Sequence, residues 1–227
     1  MAGGAVARRD PRPCRECRVV SLGDQHLPAL SADVPPDGRF MIDVLAKFVE
    51  RLREGVPLSA FWRGLLLRRH FRRGAGLVLS LPGGPRPVVK NSGGEIIVES
   101  GTFEAGVRIE VYRGATLTVG KGTYLNRNVH IVAAESVTIG RDVKIGWDTV
   151  IMDTDLHGHS GLPARTKPVV IEDGVWIGCR VILLKGVRVG RGAIIGAGAI
   201  VTKDIPPLAV VASPRAEVLF SVSEPSR

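Results

Sequence analysis

Aromatic side chains are scarce. Phe, Trp and Tyr make up 5% of the 227 residues, although hydrophobic residues reach 44%. A core with so few rings must be narrow and filled by Ile, Leu and Val. No apolar run approaches the roughly 18–20 residues that a membrane-spanning helix needs, so none is expected. Residues 1–20 carry Arg and Pro but no apolar run, so no signal peptide is expected either. Cysteine is equally sparse: three residues, an odd number, which argues against a disulfide framework and fits a reducing, cytoplasmic compartment. Cys14 and Cys17 have metal-ligand spacing, but a structural zinc site takes four ligands and no second pair follows. They read as two solvent-exposed thiols.

Acidic residues are also under-represented, and unevenly so. The net charge is +9. Residues 1–90 hold 16 Lys and Arg against 8 Asp and Glu, whereas residues 91–227 hold 15 against 14. The basic character therefore belongs to the N-terminal part. A basic face for nucleic acid along the rest of the chain is not indicated.

What the chain has in place of these features is a period of six. From Ile171 the blocks run Ile171–Trp176, Ile177–Ile182, Leu183–Arg188, Val189–Ile194, Ile195–Ile200 and Val201–Pro206. Each opens on an aliphatic residue and carries Val, Ala or Ile four positions later. A helix repeats its apolar residues every 3.6 positions and a half-buried strand every two; six is neither. It is the mark of a parallel β-helix, in which each hexad is a short strand plus a turn and three hexads make one coil. The opening aliphatic points inward, and the fifth residue packs near a corner. Glycines at the second and fourth positions are read as permitting tight turns. Stacked coils bury a continuous aliphatic column.

Upstream, block starts fall at Val119, Leu125, Ile131, Ile139, Ile145 and Ile151. The steps from Val111 to Val119 and from Ile131 to Ile139 are eight, which predicts the same corner expanded in successive coils. The step from Ile151 to Ile171 is twenty, which predicts a loop leaving the prism. Residues 1–38 read as a mobile leader. Residues 39–86 read as a helical segment with a Pro/Gly linker, including a basic amphipathic helix from Ser59 to about Arg73. Residues 87–206 are the β-helix and 207–227 a C-terminal tail.

The long loop carries chemistry. It begins Asp153-Thr-Asp-Leu-His157 and includes His159. A neutral imidazole can take a proton from a hydroxyl near pH 7, and a neighbouring carboxylate can hold its tautomer. Asp153 and Asp155 are the local candidates for that carboxylate, and His159 competes with His157 as the base.

Asp153-Thr-Asp-Leu-His157, then Val175-Trp-Ile-Gly178, then the run Ile195-Gly-Ala-Gly-Ala-Ile-Val-Thr-Lys-Asp-Ile-Pro-Pro207 together resemble the bacterial hexapeptide-repeat acyltransferases. The similarity covers about residues 95–215. It is to the maltose- and galactoside-type O-acetyltransferases and to the sugar O-acetyltransferases of surface-polysaccharide synthesis. The resemblance implies a left-handed parallel β-helix, a homotrimer with sites between subunits, acetyl-CoA as donor, and no metal. It implies His157 as general base with Asp155 beside it. Asn126, in Tyr124-Leu-Asn126, would meet the acceptor. Trp176, Cys179, Ala197, Gly198, Thr202 and Lys203 would meet CoA. The family's usual ending is altered here to Val211-Ala-Ser-Pro-Arg-Ala-Glu-Val218, which leaves Arg215 as the basic residue for CoA. The expected function is acetyl transfer to a sugar hydroxyl in polysaccharide or glycolipid synthesis. The Arg-rich N-terminal helices would be available for peripheral contact with the inner membrane face.

Other readings of the same residues stay open. One is N-acetylation of an amino sugar. Another is a γ-carbonic-anhydrase-like metalloenzyme using His130, His157 and His159, although a pair two residues apart does not match that family's spacing. The last is a non-catalytic scaffold.

Overall fold

The computed structural model describes residues 49–71, 77–158 and 165–213. The 1–38 leader, Cys14, Cys17, His159 and Arg215 lie outside the described residues.

Eighteen short strands build three parallel sheets. The first sheet stacks β1 (Val78–Ser80), β4 (Gly101–Phe103), β7 (Thr123–Leu125), β10 (Lys144–Ile145), β13 (Trp176–Ile177), β16 (Ile194–Ile195) and β18 (Val210–Val211). The second stacks β2 (Val88–Asn91), β5 (Arg108–Val111), β8 (His130–Ala133), β11 (Val150–Met152), β14 (Ile182–Leu183) and β17 (Ile200–Val201). The third stacks β3 (Glu95–Val98), β6 (Thr116–Val119), β9 (Ser136–Ile139), β12 (Val169–Ile171) and β15 (Arg188–Val189). Apart from β18, which pairs with β16, each strand's neighbour is the one three places on in sequence, so the chain winds as a β-helix of about six turns, consistent with the left-handed form.

The register is the one that the hexads predict. Leu125 lies on Ile145, Ile145 on Ile177 and Ile177 on Ile195. Every block-opening residue from Val119 to Val201 is buried. So are the fifth-position residues Val129, Val143, Val175, Val181, Val187, Ala193 and Ala199. Burying each such aliphatic side chain is worth about 1.5–3 kcal/mol before entropy is counted. Two fifth positions hold Thr instead, and both hydroxyls are satisfied. Thr123 donates to the Gly140 carbonyl at 2.9 Å and Thr149 to the Gly178 carbonyl at 3.0 Å.

The eight-residue steps are longer strands. In β5 and β8, Val111 and Ala133 add a second inward residue after Ile109 and Ile131. In β6 and β9, Leu117 and Val137 do the same ahead of Val119 and Ile139.

Three expectations are corrected. The sheets run from Val78 to Val211 and so extend past the 87–206 span at both ends, because β1 and β18 pair with β4 and β16. The Pro- and Gly-rich stretch from Pro82 is thus the turn between β1 and β2, not a linker ahead of the domain. The second helix is Leu58–Arg68, not Ser59 to Arg73. It buries Ala60, Gly64 and Leu67, and Phe71 beyond it meets Phe103 edge-on at 6.3 Å, closing the end of the column. Residues 49–53 are helical and end at Gly55, φ +82°.

The third correction concerns glycine. Only the fourth position is left-handed. Gly122, Gly174, Gly186, Gly192 and Gly198 have φ between 65 and 78°, and Asn128, Asp142, Asp148 and Arg180 take the same conformation with φ of 54–57°. Second-position glycines serve close approach between coils. A Cβ on Gly146 would sit 2.5 Å from the backbone carbon of Gly178, and one on Gly178 2.7 Å from the Ala197 nitrogen.

These two roles predict different costs. Gly174→Ala meets nothing within 4 Å and suffers only its positive φ, so it should lose about 1–2 kcal/mol. Gly146→Ala must push two coils apart, and should lose about 1–3 kcal/mol from overpacking. Urea unfolding of the two variants checks the difference.

Candidate active site

Inward positions are committed to the core, so chemistry is left to the corners. Between the first and second sheets, one corner stacks Asn126-Arg127-Asn128, Gly146-Trp147-Asp148, Gly178-Cys179-Arg180 and Gly196-Ala197-Gly198. Backbone bonds tie the layers: Asp148 N–H to the Arg127 carbonyl at 2.9 Å, Arg180 N–H to Trp147 at 2.8 Å and Gly198 N–H to Cys179 at 2.9 Å. The missing side chains at Gly146, Gly178 and Gly196 let its layers lie close on one another. Asn126 is half-buried, and its Oδ1 accepts the Arg127 N–H at 2.8 Å. Its side-chain NH2 has no partner among the described residues. Trp176 stands outward on the adjoining first sheet and Trp147 on the corner itself, each more than half or about half exposed. Trp147 was missed in the sequence. The signal was its third place in a hexad, shared by Cys179 and Ala197.

A second corner lies between the second and third sheets, where the long loop leaves. Asp153 anchors it. Its buried carboxylate accepts the backbone N–H groups of Ala134, Glu135 and Ser136, each at 2.7 Å. These donors belong to the expanded corner one coil earlier, which otherwise could not satisfy them. Asp153 is therefore a backbone clamp and is not free to orient His157. The loop then closes as a hairpin. Thr154 bridges Thr166, Asp155 N–H bonds to the Arg165 carbonyl at 3.1 Å, and Lys167 N–H to the Asp153 carbonyl at 2.9 Å.

The turn holds His157 in the open. Leu156 is left-handed at φ +63°, and the His157 N–H reaches the Asp155 carbonyl at 2.7 Å. The His157 ring is exposed and has no hydrogen-bond partner among the described residues. The Asp155 carboxylate pairs with Lys185, not with the His157 ring. The hydrogen bond from the Lys185 ammonium, one coil on, holds that carboxyl below the usual carboxylate range. Thr202 and Lys203 are exposed on the same corner one coil further, next to Leu184-Lys185. So Asp155 belongs beside the candidate base through its backbone, and Lys185 is a second residue that spacing did not reveal.

The two sets of predicted residues thus fall on different corners. Asn126, Cys179, Ala197 and Gly198 share the first, with Trp176 beside them. His157, Asp155, Thr202 and Lys203 share the second. The width of the second sheet separates them within one chain. His130 sits in that sheet, 3.4 Å from Glu110, not beside His157. Among the described residues no group of three or more His, Cys, Asp or Glu could hold a metal ion.

Below Asn126 lies one more polar pair. The Tyr124 hydroxyl donates to Glu104, and Arg127 Nε stands 3.8 Å from the same, largely buried carboxylate. Burial, and then the bond to Glu104, push the Tyr124 phenol up to about 12.

Comparison with known proteins follows the same outline. Residues 168–203 match the family of bacterial transferase hexapeptides (six repeats). The chain is 36% identical over 115 residues to the galactoside O-acetyltransferase of Escherichia coli (strain K12), covering 49% of this chain and 57% of that protein. It is 45% identical over 89 residues to a 2,3,4,5-tetrahydropyridine-2,6-dicarboxylate N-acetyltransferase of Staphylococcus aureus (strain MRSA252), covering 38% and 34%. The chain therefore spans about a third to somewhat over half the length of these relatives. A hexapeptide-repeat acetyltransferase of Vibrio cholerae, solved with acetyl coenzyme A, has 25% identity and a TM-score of 0.48, covering 88% of this chain and 94% of that one.

Two outcomes are expected here. Asp153→Asn replaces an oxygen that accepts N–H by an NH2 that opposes one, so it should cost about 1–3 kcal/mol in urea unfolding. The phenol of Tyr124 favours the folded state while protonated, so its contribution is whole below the ordinary tyrosine pKa near 10 and is lost as pH rises through about 12. With only two tyrosines in the chain, ultraviolet titration should show one step near 12 that Tyr124→Phe removes and Glu104→Gln moves down.

Proposed function

We propose that the chain is an acetyl-CoA-dependent O-acetyltransferase acting on a sugar hydroxyl of a surface polysaccharide, a glycolipid or a precursor. The observation that carries this reading is the exposed His157 ring, without a hydrogen-bond partner among the described residues and held by a clamped hairpin on a hexapeptide solenoid whose other corner is lined with glycine. The relatives' names agree in acetyl transfer and differ in acceptor.

The steps use few groups. The neutral His157 ring takes the proton of the acceptor hydroxyl as its oxygen attacks the thioester carbon. Backbone N–H groups on the glycine-lined corner supply donors for the oxyanion. The C–S bond breaks, and the imidazolium returns its proton to the departing thiolate. Asn126 holds the acceptor through its open NH2. Trp176, Cys179, Ala197 and Gly198 lie along pantetheine, with Thr202, Lys203 and Arg215 toward the nucleotide. No cysteine nucleophile is needed.

Separation of the two corners supports a homotrimer. His157 of one copy faces the Asn126 corner of the next, so neither copy has a whole site alone. Outward Ile182 and Ile200 of the second sheet, the latter 65% exposed, are then covered between copies. The enzyme would work in the cytoplasm, with peripheral contact at the membrane through the exposed Leu58, Trp62 and Leu65 of the Leu58–Arg68 helix. No helix among the described residues is long and apolar enough to cross a membrane.

A second reading, N-acetylation, is favoured by the 45% identity to the dicarboxylate N-acetyltransferase and uses the same base. Thiol release from acetyl-CoA, measured over sugar hydroxyl and amino acceptors, separates the two. His157→Ala should lower kcat/KM about 10²–10⁴-fold with CoA binding retained. Full turnover in that variant would move the base elsewhere, and absence of CoA binding in the wild type would leave only a scaffold.

A further inference from the structure

A cavity of about 350 Å³ lies between the Leu58–Arg68 helix and the first coil, at the N-terminal end of the corner that carries Asn126 two coils later. The close packing of this helix is set by Gly64, where a Cβ would come 1.9 Å from the Val78 carbonyl oxygen. Arg63, Arg69, His70 and Arg86 line the cavity, and Ser80 of β1 closes its floor.

Two of its polar atoms have no partner among the described residues. Ser80 is fully buried, and its hydroxyl meets no described donor or acceptor. Arg63 Nε is likewise buried and without a described partner, while its Nη2 holds the Gly84 carbonyl at 3.4 Å. A buried hydroxyl and a buried guanidinium N–H without acceptors are rare in folded proteins, and both residues border the same cavity. Arg69 Nε donates to His70 Nε2 at 3.5 Å, which fixes the ring at the rim.

Nor is there a counter-charge among the described lining residues. Residues 55–94 contain seven Lys and Arg and no Asp or Glu, and the cavity lining contains no carboxylate. Three guanidinium groups border this one cavity, Arg63 half-buried and Arg69 and Arg86 exposed, so it offers positive charge to an anion. Guanidinium forks and a hydroxyl match phosphate oxygens in geometry and charge. Leu66, Leu67 and Pro87 give the remaining wall an apolar character, which suits the organic part of an ester better than a bare ion.

We propose that this cavity binds a phosphate ester, with Arg63 and Ser80 as its inner contacts and Arg86 at the mouth. Two sources share that chemistry: a soluble sugar phosphate, or the headgroup of an anionic lipid beneath the exposed Trp62 and Leu65. The site is separate from the acetyl-transfer reading and stands or falls without it.

The test uses the full chain and two probes. Glucose 1-phosphate is titrated calorimetrically with glucose as its control. Flotation compares vesicles of phosphatidylcholine alone with vesicles containing phosphatidylglycerol. Arg63→Gln, Ser80→Ala and the exposed Arg86→Gln should each weaken binding of the preferred probe, at least tenfold for Arg63→Gln. Arg113→Gln with Lys121→Gln, which removes two cations elsewhere on the coils, should not. Binding of glucose 1-phosphate assigns the soluble source, and binding only to phosphatidylglycerol vesicles assigns the headgroup. Failure of both probes, or equal loss in the Arg113/Lys121 variant, overturns the site. If Arg63→Gln does not fold, an unchanged affinity in both Arg86→Gln and Ser80→Ala, each with wild-type melting temperature, overturns it as well.

Discussion

Everything described in this chain depends on equivalent residues of successive coils lying directly on one another. Parallel ladders set this registration, and the glycines of the second position allow it at the corners. Gly120 over Gly140 and Gly146 over Gly178 leave no room for even one methyl group. Given that contact, Leu125, Ile145, Ile177 and Ile195 form a single column, and each coil provides the apolar surface that its neighbour needs. A slip of one residue would turn every inward side chain out.

That constraint also decides where polar groups can go. Strands of two residues offer one inward and one outward side chain, so functional groups are confined to outward columns and corners. Where a corner is expanded, as at 134–136, its backbone donors face inward without partners. Asp153 answers them with three hydrogen bonds, and by doing so fixes the base of the loop that carries His157. A residue that spacing marked as a helper of the histidine serves it indirectly, through the backbone. Glu104 is a comparable case: its buried carboxylate is held by the Tyr124 hydroxyl with Arg127 nearby.

Charge is distributed by the same logic. Acids on the solenoid meet nearby bases or backbone donors, as with Asp155 and Lys185, or Glu172 with Arg188. The Leu58–Arg68 helix and the chain onward to residue 94 have bases without acids. The difference matters because a solvated surface cation costs little, whereas Arg63 Nε and the Ser80 hydroxyl are buried.

The sequence by itself determined the β-helix, its inward residues, the expanded corner and the departure of the loop after Ile151, because a six-residue period leaves one way to bury all the aliphatics. It also singled out the exposed His157. Only the tertiary structure decided that Asp155 turns to Lys185, that Asp153 is a clamp, that Trp147 joins the glycine-lined corner, and that β1 and β18 extend the sheets. Those outcomes rest on contacts between residues one coil apart, 17 positions for Asp153 and Ser136 and 30 for Asp155 and Lys185, where the identity of the neighbour is set by how the loops and expanded corners shift the count. The separation of Asn126 from His157 has the same origin: hexads alike in sequence are assigned to different faces only when the chain has wound.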